Sequence, residues 1–133
     1  VKRRTRIILI VLAVVVAAVV IVGIVVVRTI ESNLEKLMDL PLADVDLFDI
    51  EDGTYLGSYS VFPVSAEVEV SIKNHEITEI ILVKHSHGQG EPAEVIPDEV
   101  VKAQTLEVDT ISGATYSSIV ILKAIENAIK SSE

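Results

Sequence analysis

The pattern of apolar and polar positions divides this chain near residue 28. Ile7 to Val27, IILIVLAVVVAAVVIVGIVVV, is a run of 21 residues without one polar side chain. As a helix at 1.5 Å rise per residue it spans roughly 31 Å, the thickness of a bilayer's hydrocarbon core. A soluble core helix keeps a solvated face, and a cleavable signal peptide has an apolar stretch of only about 7–15 residues before small residues at its cut site. Here the run is longer, and RTIES follows it. The pattern predicts a basic tip over 1–6 and a permanent transmembrane helix over 7–28.

Beyond it the periodicities are those of a small folded domain. Ile30, Leu34, Leu37 and Met38 recur at helical spacing until Pro41, which predicts a helical stalk or linker within 29–46. The domain proper is then expected over 47–133. A first strand is expected around Leu47–Ile50 and a second around Thr54–Ser60, separated by the turn signal Asp52-Gly53. Val68, Val70 and Ile72 alternate with Glu67, Glu69 and Ser71, as in a strand with one buried face. KNHE is a polar turn, and Ile77–Val83 returns as the other half of a hairpin. Phe62-Pro63 reads as core plus strand edge. AEVIPDEVVKAQT suggests one or two short helices broken at Pro97, and Leu106–Ile111 a short strand. The last helix places Ile121, Leu122, Ile125, Ala128 and Ile129 on one face, with Lys123, Glu126 and Lys130 on the other. The predicted class is α+β: a small antiparallel sheet covered by helices, preceded by one N-terminal transmembrane helix.

Charge orients this arrangement. Residues 1–28 carry five basic and no acidic side chains, and the remainder carries six Lys, no Arg and all twenty Asp and Glu, a net of −14. Lys2, Arg3, Arg4 and Arg6 precede the apolar run and only Arg28 closely follows it, so the positive-inside rule places the N-terminus in the cytoplasm and the domain outside the cell membrane. An anionic, Arg-free domain is a poor partner for nucleic acid. The chain has no Cys, which excludes disulfides, thiolate chemistry and cysteine-ligated clusters.

The chemistry concentrates in VDTISGATYSSIV, Val108–Val120. Thr110, Ser112, Thr115, Ser117 and Ser118 crowd around Gly113 and Ala114 just where the last helix is expected to begin. A helix N-terminus offers unpaired N–H groups and partial positive charge, which suits a phosphate. The competing reading is a turn and an ordinary hydroxyl N-cap.

Asp109–Thr115, DTISGAT, resembles the flavinylation motif of FMN-binding-domain proteins, an Asp followed by S/T-G-A-T. The domain also occurs in the membrane-anchored flavin subunits of sodium-translocating NADH:quinone reductases and Rnf complexes. The resemblance extends over roughly Asp49–Ile129 through DGTYLGSY and HSHGQGEPAEVIP. It implies FMN joined by a phosphoester to Thr115, installed by a separate flavin transferase that takes FMN from FAD. Ser112, Gly113, Ala114, Ser117 and Ser118 are then the neighbours able to hydrogen-bond the phosphodiester, and Tyr116 is placed to stack near the flavin or to pack in the core. Asp109 is anionic, so the motif implies a role for it in transferase recognition or Mg²⁺ binding during modification.

The middle loop corresponds to one that contacts the isoalloxazine ring in the membrane flavin subunits. Those relatives carry a Thr-Pro-Gly type sequence there, and this chain has His85, Ser86, His87, Gly88, Gln89 and Gly90 instead. His85 or His87 is expected to approach the flavin, with Gly88 and Gly90 letting the backbone close. Two His at i, i+2 plus Glu91 make only a weak metal signal, and no metal is expected; solvated loop residues are the third reading.

The expected function is a single-pass, extracytoplasmic flavoprotein that relays electrons between a membrane donor and an external acceptor protein. It is an electron-transfer domain rather than a self-sufficient enzyme, since no Ser/His/Asp arrangement or nicotinamide fingerprint is visible. The alternatives are non-covalent FMN binding and a non-redox interaction or sensing module.

Overall fold

The computed structural model describes residues 2–132. The chain forms two compact units, one ending at Asn33 and the other beginning at Leu34. In the first, helix α1 (Lys2–Met38) carries the apolar run, and every residue from Ile7 to Val27 is exposed. It is long and apolar enough to cross a membrane. The same helix continues to Met38, and Leu37 in its last turn is buried in the core of the second unit, whereas Met38 is exposed. Pro41 keeps the preceding residue out of helical geometry, and the helix stops short of it.

The second unit is built on a three-stranded antiparallel meander in the order β1-β2-β3. Its strands are β1 (Gly53–Val61), β2 (Val64–Lys73) and β3 (Glu76–Ser86). The alternation seen in the sequence sets its faces: Val64, Ala66, Val68, Val70 and Ile72 of β2 all point into the core. Asn74 and His75 both have positive φ, 52° and 63°, the backbone of a two-residue hairpin turn that matches strand twist. Helix α2 (Ile96–Ala103) packs on β3, and α3 (Thr115–Lys130) lies across β1 and β2. All five predicted core positions of α3 are buried, joined by Val120 and Ala124. The α3 backbone comes so close to β1 that a Cβ on Gly57 would lie 2.2 Å from the Ala124 carbonyl oxygen.

Four local expectations are corrected. Leu47–Ile50 is not a strand but a 3₁₀ turn, Leu47–Asp49, because the Asp46 carboxylate accepts a 3.0 Å bond from the Phe48 amide and closes the chain locally. Leu106–Ile111 is not a strand either. Its donors are satisfied nearby: Glu107 N–H by the Thr105 hydroxyl, Val108 N–H by the Leu106 carbonyl and Ile111 N–H by Ser118 Oγ. The helical break falls before Pro97, which sits in the first turn of α2, where its missing N–H costs nothing. Phe62 is not core; it occupies the exposed β1–β2 turn, joined to Pro63 by a cis peptide.

Glu126 is the last departure, buried rather than solvated. Lys123 Nζ donates to its Oε2 at 2.8 Å and Lys130 Nζ donates to Oε1, so two ammonium groups compensate one buried carboxylate. Burial alone would raise its pKa, but the hydrogen bonds and charges of the two lysines outweigh that and hold it below the ordinary carboxyl value.

Candidate functional site

Two stretches singled out from the sequence meet at the start of α3. The segment after Val108 turns at Gly113, whose φ of +79° is left-handed backbone that side chains other than glycine's rarely adopt. Ala114 N–H donates to the Ile111 carbonyl and closes this turn. Ala114 is the N-cap and Thr115 the first helical residue. No side chain caps the helix, so the abundant hydroxyls do not serve as its cap. Thr115 itself is half-buried, while Asp109, Thr110, Ser112 and Gly113 are exposed around it.

The other two hydroxyls are engaged within the protein. Ser118 is fully buried; its Oγ donates to the Ala114 carbonyl at 2.8 Å and accepts from Ile111 N–H at 3.0 Å, tying the turn to the helix. Ser117 is also buried, and its Oγ lies 3.0 Å from His85 Nε2. Tyr116 donates from its phenol to the Phe62 carbonyl at 2.6 Å while its ring packs against the core. Of the hydroxyls expected near a phosphate, Ser112 is exposed and Thr115 half-buried, whereas Ser117 and Ser118 are buried. The reason is helical: positions in the first turn project back onto the loop and core beneath them.

The middle loop reaches Ser117 through His85. That imidazole also places Nδ1 3.0 Å from Glu94 Oε1, and a carboxylate can only accept, so the proton resides on Nδ1. In the tautomer with that single proton, Nε2 accepts from the Ser117 hydroxyl. Gly90 backs against the same Oγ, where an added Cβ would stand 1.9 Å away. Gly90 thus makes a close approach to a serine side chain, while Gly88 faces open space. Gly90 N–H donates to His87 Nδ1 at 3.2 Å, and the two imidazoles face each other with centroids 4.4 Å apart. Ser86 and Gln89 are exposed.

Ser117–His85–Glu94 has the connectivity of a nucleophile, a base and an orienting carboxylate. It does not work as one. Ser117 is only 2 % exposed and Gly90 covers its oxygen, so an attacking orbital has no line of approach. The hydrogen-bonded chain instead clamps the middle loop to the first turn of α3. Glu94, rather than the suspected Glu91, completes the histidine pair; it lies nine residues beyond His85 in the short 3₁₀ helix Glu91–Val95, too brief for a periodicity to mark it.

Comparison with known proteins covers this same region. The FMN-binding domain family matches residues 63–130, from the β1–β2 turn through α3. Over 65 residues the chain is 40 % identical to an NADH:acrylate oxidoreductase of Vibrio harveyi, covering 47 % of this chain and 6 % of that protein. Over 68 residues it is 40 % identical to a urocanate reductase of Eggerthella lenta, covering 49 % of this chain and 11 % of that protein. The chain thus spans a small part of the length of the curated relatives it matches. The DTISGAT loop, the histidine loop and the helix they meet all lie inside the matched span, and the chain belongs to the FMN-binding domain family.

Proposed function

We propose that the chain carries FMN covalently on Thr115 and passes electrons from a membrane donor to an external acceptor protein. The observation that carries this reading is the start of α3: a helix of 16 residues whose first residue is the motif threonine and whose N-cap provides no side chain to its amides. The phosphate of FMN fits there. The positive end of the helix dipole lies at Thr115, and Gly113 leaves open space beside it. In a domain without Arg, backbone amides are the suitable anion partners. Ser112 and Thr110 are exposed and can donate to the same oxygens. Ser117, locked to His85, and Ser118, locked to the loop, hold the turn in position rather than touching the phosphate.

The attachment is a balanced transfer catalysed by a separate flavin transferase. The Thr115 oxygen forms the new bond to the FMN phosphorus of FAD, the bond to AMP breaks, and the hydroxyl proton leaves with the departing phosphate or to a base. Exposed Asp109 is left for the transferase or its metal ion to recognise. Bound flavin supplies one- and two-electron chemistry, and the protein supplies position and electrostatics. Covalency also suits a site facing a dilute exterior. Even a nanomolar complex, about −12 kcal/mol, releases its ligand there.

The membrane part of the proposal rests on α1. Its Val- and Ile-rich run has modest intrinsic helix propensity in water, whereas a bilayer enforces helix because every backbone group must be satisfied internally. The basic residues before it orient the N-terminus to the cytoplasm and the flavin domain outward.

Intact-mass measurement of the chain co-expressed with a flavin transferase tests the central point. The expected gain is one FMN less one water, with flavin fluorescence surviving a denaturing gel, and both disappear in Thr115→Ala. An unmodified wild-type mass under those conditions overturns the proposal; flavin that is released on denaturation indicates non-covalent binding.

A further inference from the structure

We propose that His85, His87 and Glu94 form a binding site for a divalent transition-metal ion of the zinc type, with one coordination position open to solvent. One donor atom from each of the three residues falls within 4.8 Å of the others. Glu94 Oε1 is 3.0 Å from His85 Nδ1 and 3.6 Å from His87 Nε2. A tetrahedral ion with bonds of about 2.0–2.1 Å holds neighbouring donors roughly 3.3 Å apart, so these two separations bracket the requirement. The two imidazoles stand on alternate residues at the end of β3 and just beyond it, with ring centroids 4.4 Å apart.

The donor set selects the ion. Two imidazoles and a carboxylate suit zinc and its neighbours, whereas calcium and magnesium require a shell of oxygens. Burial is graded in the manner of a three-ligand site with an entrance. The side chains of His85, His87 and Glu94 are 2 %, 22 % and 43 % exposed, so the wall lies at His85 and the opening at Glu94. The net charge of −14 beyond residue 28 draws cations toward it.

Proton positions are compatible with loading. Binding at His85 Nδ1 moves that ring's proton to Nε2, which then donates to Ser117 Oγ. This is the outer hydrogen bond that a metal-bound histidine ordinarily makes. Binding at His87 Nε2 moves its proton to Nδ1 and sacrifices the 3.2 Å bond from Gly90 N–H. That loss costs about tenfold in affinity, far less than three ligands provide. Thr115 contributes none of the ligands, so the Thr115→Ala chain tests the site without attached flavin.

Calorimetric titration of zinc chloride into the untagged, chelator-stripped full chain in detergent tests it, with both the wild type and Thr115→Ala. Each is expected to bind one equivalent. Glu94→Gln and His87→Ala should each weaken binding by tenfold or more, and His75→Ala should leave it unchanged. Glu94→Gln keeps a hydrogen-bond acceptor for His85, so a fold intact by circular dichroism separates ligand loss from unfolding. Cobalt(II) in place of zinc should show the visible bands of four-coordinate geometry, lost in Glu94→Gln. Absence of a one-equivalent zinc isotherm in the wild type, or equal affinity in wild type and Glu94→Gln, overturns the site.

Discussion

Helices α1 and α3 are both rich in Val, Ile, Leu and Ala, yet they have opposite relations to solvent. No residue between Ile7 and Val27 of α1 is covered by the protein, whereas ten of the residues of α3 are buried. The difference lies in arrangement, not in amount of apolar surface. The α1 run is apolar around its whole circumference, so no single packed face would bury it. In α3, polar residues interrupt the pattern and leave one broad face to cover the sheet. Apolar content alone therefore says little about where a helix resides. Periodicity decides whether a helix has a face to bury against its own domain.

A buried charge breaks the comparison most strongly. Ile125→Asp places an unpaired carboxylate beneath α3, where Ile125 is fully buried, and should destabilise the domain by about 4 kcal/mol or more. Chemical denaturation of the full chain in detergent, followed by circular dichroism and corrected for α1, measures this. Val16→Asp in α1 should leave that transition unmoved and instead weaken membrane insertion, by about 2.5–3.5 kcal/mol for a charge at the centre of a span. A glycine-matched pair is next. Gly57→Ala drives a Cβ against the α3 backbone and should cost about 1–3 kcal/mol in the same denaturation, while Gly23→Ala, with nothing within 4 Å, should leave the domain transition unchanged.

Acid provides a graded test of α3. The folded pKa of Glu126 is depressed, so its contribution is fully present above the unfolded carboxyl value, about 4.3, and is lost as pH falls through the folded value. Denaturation midpoints should therefore decline on acidification below about pH 4, and Glu126→Gln should flatten that decline. The smallest expected effect is at the modification site. Thr115→Ala at a half-buried first helical position should shift stability by less than about 1 kcal/mol while abolishing flavin attachment, which separates the chemistry of this residue from its packing.

Much of the architecture was legible because it depends on local periodicity. The β2 alternation, the polar KNHE turn and the apolar face of α3 each concern neighbours two to four positions apart. The same is true of α1, whose length and uniformity suffice. DTISGAT was legible for a different reason, as a contiguous motif resting at the start of a helix. The misreadings share a cause as well. Leu47–Ile50 and Leu106–Ile111 have the composition of strands, but a strand requires a partner, and local side-chain and turn bonds satisfied their donors first.

The sequence by itself determined an all-apolar helix, a hairpin with one buried face, an acidic Arg-free domain and a hydroxyl-rich turn at a helix start. Tertiary structure alone decided the company those residues keep. Glu126 is buried because two lysines fold over it, and Ser117 turns inward because Gly90 and His85 meet it there. Glu94 rather than Glu91 joins the histidines. Each of these is a contact between side chains set by the packing of a loop or a helix turn. No repeat of two or 3.6 residues encodes such a contact, so it exists only once the elements have docked.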